Sequence, residues 1–245
     1  MRTPPSSDRP YDSATAVNPA TRGELTDMFR SAARVLLGLV VCGLMLAPSS
    51  ASAGIDRDNR CVRFAERYDV EQQTKFEVLF SKVVQGDRFF YGCAFSSQHA
   101  RRLPGQSCCE TDVAGGFQLQ GRYVAYRSLN QEAAATQAND TLYVYDVKIG
   151  QIKVQEPAVP PVNTSNSTLI SSIVVKANGS VAWIGGLQTG PGQTDYQVQT
   201  EDSTGTDPVT VDHGDDIAPG SLGKASDGLS IYWIRGGVAK TAPLQ

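Results

Sequence analysis

The sequence is poor in the residues and motifs on which most enzymes depend. Among 245 residues it has two histidines, His99 and His213, so a catalytic triad or metal site that uses histidine must use one of these. It has no G-x-S-x-G elbow for a serine nucleophile and no glycine-rich phosphate loop. These absences disfavour a serine hydrolase and a nucleotide-binding enzyme.

Positive charge is also scarce. The formal net charge is −3, and removal of residues 1–53, with five basic and four acidic side chains, leaves 17 basic against 21 acidic side chains. No basic cluster is interleaved with aromatic residues. Nucleic acid is therefore not an expected partner, because its phosphates need a positive surface.

A hydrophobic run long enough to cross a membrane is missing, and the one apolar run fits an export signal. Two arginines precede the apolar residues 35–47, and small residues follow at 51–53. This order predicts a signal peptide at 28–53, cleaved after Ala53, and a secreted chain with no stable membrane span. A retained anchor is the alternative, but this run is shorter than the roughly 20 residues that a spanning helix needs.

The signal peptide divides the chain into three parts. Residues 1–27 are polar and rich in proline, serine and threonine, so we predict that they are disordered, and Met28 is an alternative translational start. Residues 54–245 have the length and the apolar content of one folded domain.

Four cysteines remain after cleavage: Cys61, Cys93, Cys108 and Cys109. An even number in an exported protein predicts disulfides, and four cysteines allow three connectivities. Adjacent cysteines rarely meet disulfide geometry, so we favour a crossed pairing in which Cys61 and Cys93 bond to Cys108 and Cys109. Zinc is disfavoured because no pair has C-x2-C spacing.

The pattern beyond residue 60 predicts an all-β fold. Short alternating apolar runs are divided by turn residues, with little helical periodicity, and the alanine-rich stretch 130–138 has no apolar face and is predicted to be a loop. Four runs, spaced by about 50 residues, centre on one aromatic each. These aromatics, which we expect to fill the core, are Phe80, Tyr126, Trp183 and Trp233.

The repeats predict about four antiparallel β-sheet units, arranged as a small or incomplete β-propeller, with a β-sandwich as the alternative. The stretch LYVYDVKIG at 142–150 resembles propeller repeats of the TolB and WD40 type. The mature chain, with RFFYGCAF at 88–95 and YWIRGG at 232–237, is similar to secreted β-propeller-like proteins of high-GC Gram-positive bacteria. It lacks the G-H to W-D blade signature. The resemblance implies a fold and an extracellular location, not a reaction.

One acidic segment is a weak candidate site. The run VDHGDDIAPG holds Asp212, His213, Asp215 and Asp216, which could act as a base or ligate a cation. It lacks the ligand spacing of a calcium loop, and aspartate and glycine are also typical of a tight turn, which is the interpretation we favour. We predict no cofactor and no metal.

These features together predict a secreted, non-enzymatic domain that binds a protein or glycan partner at the cell envelope. The variable loops at 128–140 and 185–195 would supply the binding surface. An extracellular propeller enzyme acting on glycans, either a hydrolase or a lyase, is one alternative, and a structural envelope protein without ligand is another. Unpaired strand edges also predict a homodimer.

Overall fold

The computed structural model describes residues 58–105, 116–130, 139–160 and 166–245. In these ranges the chain forms one short helix and fifteen strands, which confirms the all-β prediction. The predicted signal peptide, Cys108, Cys109 and residues 131–138 of the alanine-rich stretch lie outside the described residues.

The strands follow one another in four groups, which we call units 1 to 4. Helix α1 (Arg60–Arg67) precedes unit 1, which contains β1 (Asp69–Gln73), β2 (Glu77–Val84), β3 (Asp87–Ala94) and β4 (Ala100–Arg102). Unit 2 contains β5 (Gln118–Gln120), β6 (Tyr123–Asn130), β7 (Asn139–Asp146) and β8 (Gln151–Pro157). Unit 3 contains β9 (Thr168–Val175), β10 (Val181–Gly190), β11 (Gln193–Glu201) and β12 (Val209–Gly214). Unit 4 contains β13 (Gly223–Lys224), β14 (Ser230–Arg235) and β15 (Val238–Pro243).

Each unit is an antiparallel meander in which neighbours in sequence are neighbours in the sheet. One parallel contact between Asn139 and Thr168 joins units 2 and 3 into an eight-stranded sheet. None of the sheets closes on itself. The four predicted repeats are therefore present as units. The turns that join neighbouring strands lie alternately at the two opposite ends of each unit.

The four predicted aromatics all lie on the second strand of their unit. Their exposed fractions range from 0 to 3%, which confirms that they fill the core. Successive side chains of a strand point to opposite faces of the sheet, which explains how a unit packs on both of its faces. On β10, Ala182 and Ile184 pack against unit 4, whereas Val181 and Trp183 pack against unit 2.

Helix α1 is a feature that the sequence pattern did not predict. It begins after Asn59, whose side chain accepts a hydrogen bond from the backbone N–H of Cys61 at 2.9 Å, as an N-cap residue does. The rings of Phe64 and Tyr68 stack on Phe80, with centroids 5.7 and 5.5 Å away. The helix thus covers the face of unit 1 that does not pack on unit 2.

The disulfide joins Cys61 to Cys93, so the predicted crossed pairing is wrong. The packing of α1 on unit 1 explains the difference, because it brings the first turn of the helix against the end of β3, with the two Cα atoms 5.6 Å apart. Both cysteines are fully buried in the cluster beneath the helix.

Replacing both cysteines by serine is expected to lower the free energy of unfolding by about 3 kcal/mol, because the bridge constrains a long loop of the unfolded chain. Urea denaturation measures this loss. Peptide mapping without reductant is expected to recover a Cys61–Cys93 peptide. A peptide joining Cys61 to Cys108 or Cys109 would contradict the pairing.

The glycine-rich segment 185–195 is not the variable loop that the sequence predicted. It forms the paired ends of β10 and β11, and the turn between them is confined to Pro191 and Gly192. Glycine is required inside β10, because a Cβ atom on Gly185 would lie 1.7 Å from the carbonyl oxygen of Ala158. The glycines therefore serve close packing rather than loop flexibility.

No helix in the described ranges combines the length and the apolar character that a membrane crossing requires.

Candidate functional site

The acidic candidates occupy a strand and the turn that follows it. Asp212 and His213 lie on β12, where His213 pairs with Gln197 of β11, and Asp215 and Asp216 form the turn. The predicted turn is therefore present, but it begins at Asp215, three residues after the first candidate. The strand places successive side chains on opposite faces, which separates Asp212 from His213.

Asp212 is held by two residues of β14. Its carboxylate accepts hydrogen bonds from the Trp233 indole at 2.8 Å and from Nη1 of Arg235 at 2.5 Å. Burial alone would raise the pKa of Asp212, but these hydrogen bonds and the charge of Arg235 outweigh it and leave the pKa below its usual value. The ionised carboxylate of Asp212 therefore joins β12 to β14.

Asp216, which lies in the turn, binds the same guanidinium group. Its Oδ1 accepts a hydrogen bond from Nε of Arg235 at 2.9 Å. Arg235 is thus ion-paired with two carboxylates, and the charges of Asp212 and Asp216 are neutralised by this structural contact. His213, Asp215 and Asp216 are the exposed members of the predicted set, and Asp212 is partly buried.

An open groove of about 840 Å³ lies beside this ion pair. The end of the β10–β11 hairpin forms one wall, and the end of β12, with its turn and Arg235, forms the other. The lining residues are Thr189, Gly192, Gln193, Thr194, Asp195, Tyr196, His213, Gly214, Asp215 and Arg235. The groove therefore unites the predicted acidic segment with the glycine-rich segment that was predicted to bind a partner.

Two lining residues lie outside the segments predicted from the sequence: Tyr196 and Arg235. Strand register brings two of the segments together, because Tyr196 pairs with Gly214. Gly214 permits the close approach of the ion pair, because a Cβ atom there would lie 2.7 Å from Oδ1 of Asp216 and 3.0 Å from Nη2 of Arg235, and its φ of 155° is one that L side chains rarely adopt. A correct pairing of β11 with β12 would have identified the groove.

The groove is lined by side chains that form hydrogen bonds. Within the described ranges, no three His, Cys, Asp or Glu side chains are arranged to hold a metal ion. Asp195 and Asp215 accept hydrogen bonds, Gln193 and Thr194 both donate and accept them, and Tyr196 adds a flat aromatic surface. This set suits a ligand with many hydroxyl groups.

The chain matches no protein-family model, and no curated protein is detectably similar to it in sequence. Among solved structures it is similar to TolB from Acinetobacter baumannii, with 15% identity and a TM-score of 0.34. That likeness covers 64% of this chain, and this chain spans about a third (34%) of TolB. The predicted resemblance to TolB-type repeats is thus supported only as a distant structural likeness.

Proposed function

We propose that this chain is a non-catalytic binding module that acts outside the cytoplasm and holds a glycan in the groove between the β10–β11 hairpin and Asp215. The groove carries the proposal, because it gathers hydrogen-bonding side chains from two separate segments onto rigid strand ends. A site built on paired strands is preorganised for binding.

The chemistry of the groove favours a glycan. Sugar hydroxyls hydrogen-bond well to carboxylates and amides, and an aromatic ring such as Tyr196 packs against the apolar face of a sugar ring. Asp195 and Asp215 also give the groove negative charge, since Arg235 is already paired with Asp212 and Asp216. A neutral or amino-substituted sugar is therefore favoured over an acidic one.

The ion pair of Arg235 removes Asp212 and Asp216 from the carboxyl groups that could act in catalysis. A glycan-cleaving enzyme uses two carboxyl groups on either side of the scissile bond. Two of the four predicted acidic-segment residues are instead bonded to Arg235. This leaves Asp195 and Asp215 at the groove, on different walls.

The arrangement of the units supports an incomplete β-propeller. Units 1 to 3 each have four strands and unit 4 has three, and separate apolar cores lie between consecutive units. Propeller blades have this construction. The buried Cys61–Cys93 bridge is in keeping with an oxidising compartment, and the predicted export signal completes the proposal of an extracellular location.

Calorimetric titration with chito-oligosaccharides and with soluble cell-wall fragments tests this function. We expect Tyr196→Ala and Asp215→Asn each to weaken binding about tenfold or more, because each removes a contact made in the groove. Asp69→Asn is the matched control, because Asp69 is an exposed aspartate on β1 of unit 1.

Two results would contradict the proposal. Binding that all three variants leave unchanged would place the ligand elsewhere. Release of shortened oligosaccharides by the wild type, abolished by Asp215→Asn, would make the chain a glycan-cleaving enzyme.

A further inference from the structure

A second pocket lies away from the groove, where the turns of three units meet. Its volume is about 500 Å³. Its lining residues are Lys75, Phe76, Ala94, Phe95, Ser96, Gly121, Arg122, Lys148 and Ala177. The turn at Ala177 joins β9 to β10, whereas the groove lies at the other end of β10, so the two cavities occupy opposite ends of that strand.

Positive charge converges on this pocket from two units. Lys75 comes from the β1–β2 turn, Arg122 from the β5–β6 turn and Lys148 from the β7–β8 turn. Arg122 is fixed by Asp146, with 2.9 Å between Nε and Oδ2. The Asp146 carboxylate also accepts the backbone N–H of Lys148 at 3.0 Å, so it ties two of the lining residues together.

The acids near this pocket do not cancel its charge. Glu77 follows Phe76 on β2 and is fully buried. Burial, together with the nearby charge of Asp146, raises the pKa of Glu77 to about 8, so this carboxyl is mostly neutral at neutral pH. Asp146 forms its ion pair with Arg122, whereas the pocket is also lined by Lys75 and Lys148.

The walls between these cations are apolar. Phe76 is 51% exposed, although Phe80, Phe89 and Phe90 of the same unit are buried. The ammonium group of Lys75 lies 4.8 Å from the centre of the Phe76 ring. Phe95, Ala94 and Ala177 continue this surface into the pocket. An exposed aromatic in a pocket that is also lined by two lysines and an arginine is suited to a ligand that is both apolar and anionic.

We propose that this pocket binds an amphiphilic anion, a phosphate or carboxylate group carried on an alkyl or aromatic body. The anionic group contacts Lys75, Lys148 and the exposed edge of Arg122. The apolar body lies on Phe76 and Phe95. This site is independent of the proposed glycan groove, because no residue lines both cavities.

Titration with octyl phosphate, followed by NMR of the backbone amides, tests the site. We expect saturable shifts at Gly121, Lys148 and Ala177, and affinities about tenfold or more lower for octyl glucoside and for inorganic phosphate, which each lack one half of the ligand. Lys75→Ala and Lys148→Ala are each expected to weaken octyl phosphate binding by about tenfold. Lys82→Ala is the matched control, because Lys82 lies over the Tyr68 ring outside the pocket.

Equal binding of octyl glucoside would show that charge plays no part and would overturn the proposal. Shifts that map away from the residues lining the pocket, or that survive both lysine variants, would overturn it as well. Binding to phosphatidylglycerol vesicles without binding to monomeric octyl phosphate would identify a membrane surface instead of a pocket, which also contradicts it.

Discussion

Glu77→Gln is expected to leave the stability of the protein nearly unchanged below about pH 4.5 and to stabilise it progressively as the pH rises toward about 8. Both carboxyl oxygens of Glu77 are buried and, in the described structure, have no hydrogen-bond partner. Burial first, and the charge of Asp146 second, raise the pKa from 4.5 to about 8. The glutamine amide of the variant has nearly the same shape as the Glu77 carboxyl group, and it cannot ionise.

The sign of the effect follows from the raised pKa. The folded protein keeps the Glu77 carboxyl protonated up to about pH 8, whereas the unfolded chain loses this proton above about 4.5. The contribution to stability is therefore complete below about 4.5 and is lost as the pH rises toward about 8. A shift of this size corresponds to about 3 to 5 kcal/mol above that pH.

Chemical denaturation of the wild type and the variant, from about pH 5 to about pH 9, measures this difference. We expect it to be close to zero in acid and to reach about 3 to 5 kcal/mol in base. Glu66→Gln, at an exposed position of α1, is the control for the loss of one carboxyl group. A difference between Glu77→Gln and the wild type that stays constant with pH would contradict the account of this side chain.

Gly185→Ala is expected to destabilise the junction of units 2 and 3 by about 4 kcal/mol or more. The added Cβ would lie 1.7 Å from the Ala158 oxygen. That carbonyl cannot move away freely, because it accepts the indole N–H of Trp183 at 2.9 Å. The Ala158 N–H is also fixed, by a hydrogen bond to Asp140 O at 3.0 Å.

Urea denaturation compares Gly185→Ala with Gly220→Ala. A Cβ on Gly220 has no heavy atom within 4 Å, and its φ lies outside the left-handed region, so this control is expected to change stability by less than about 0.5 kcal/mol. If Gly185→Ala does not fold while Gly220→Ala does, that result also agrees with the expected loss of stability. Equal stabilities of the two variants would show that units 2 and 3 do not pack through Ala158.

The parts of the fold that depend on alternation were predictable from the sequence. An aromatic buried on the second strand of each unit produces a local pattern, and all four positions are confirmed. Helix α1 was missed because eight residues are too few to show a clear helical period. The partner of Cys61 was missed because the packing of that helix, rather than sequence spacing, determines it.

The candidate site was predictable only in part, for a similar reason. The acidic segment was recognised from composition, and its turn is present. Arg235 has no local feature that marks it as the partner of Asp212 and Asp216, since the pairing depends on how unit 4 packs on unit 3. The 185–195 segment was assigned as a loop because glycines that permit close packing resemble glycines of a flexible loop.

The most direct test of the account is amide mapping of the groove by NMR during titration with a chito-oligosaccharide. We expect saturable shifts concentrated at residues 193–196 and 213–215, which lie on two neighbouring strands and together line this groove. Saturable shifts confined to other units would contradict the proposed glycan site. The absence of shifts at about 10 mM oligosaccharide would contradict it as well, because a dissociation constant above that concentration is too weak for useful glycan recognition.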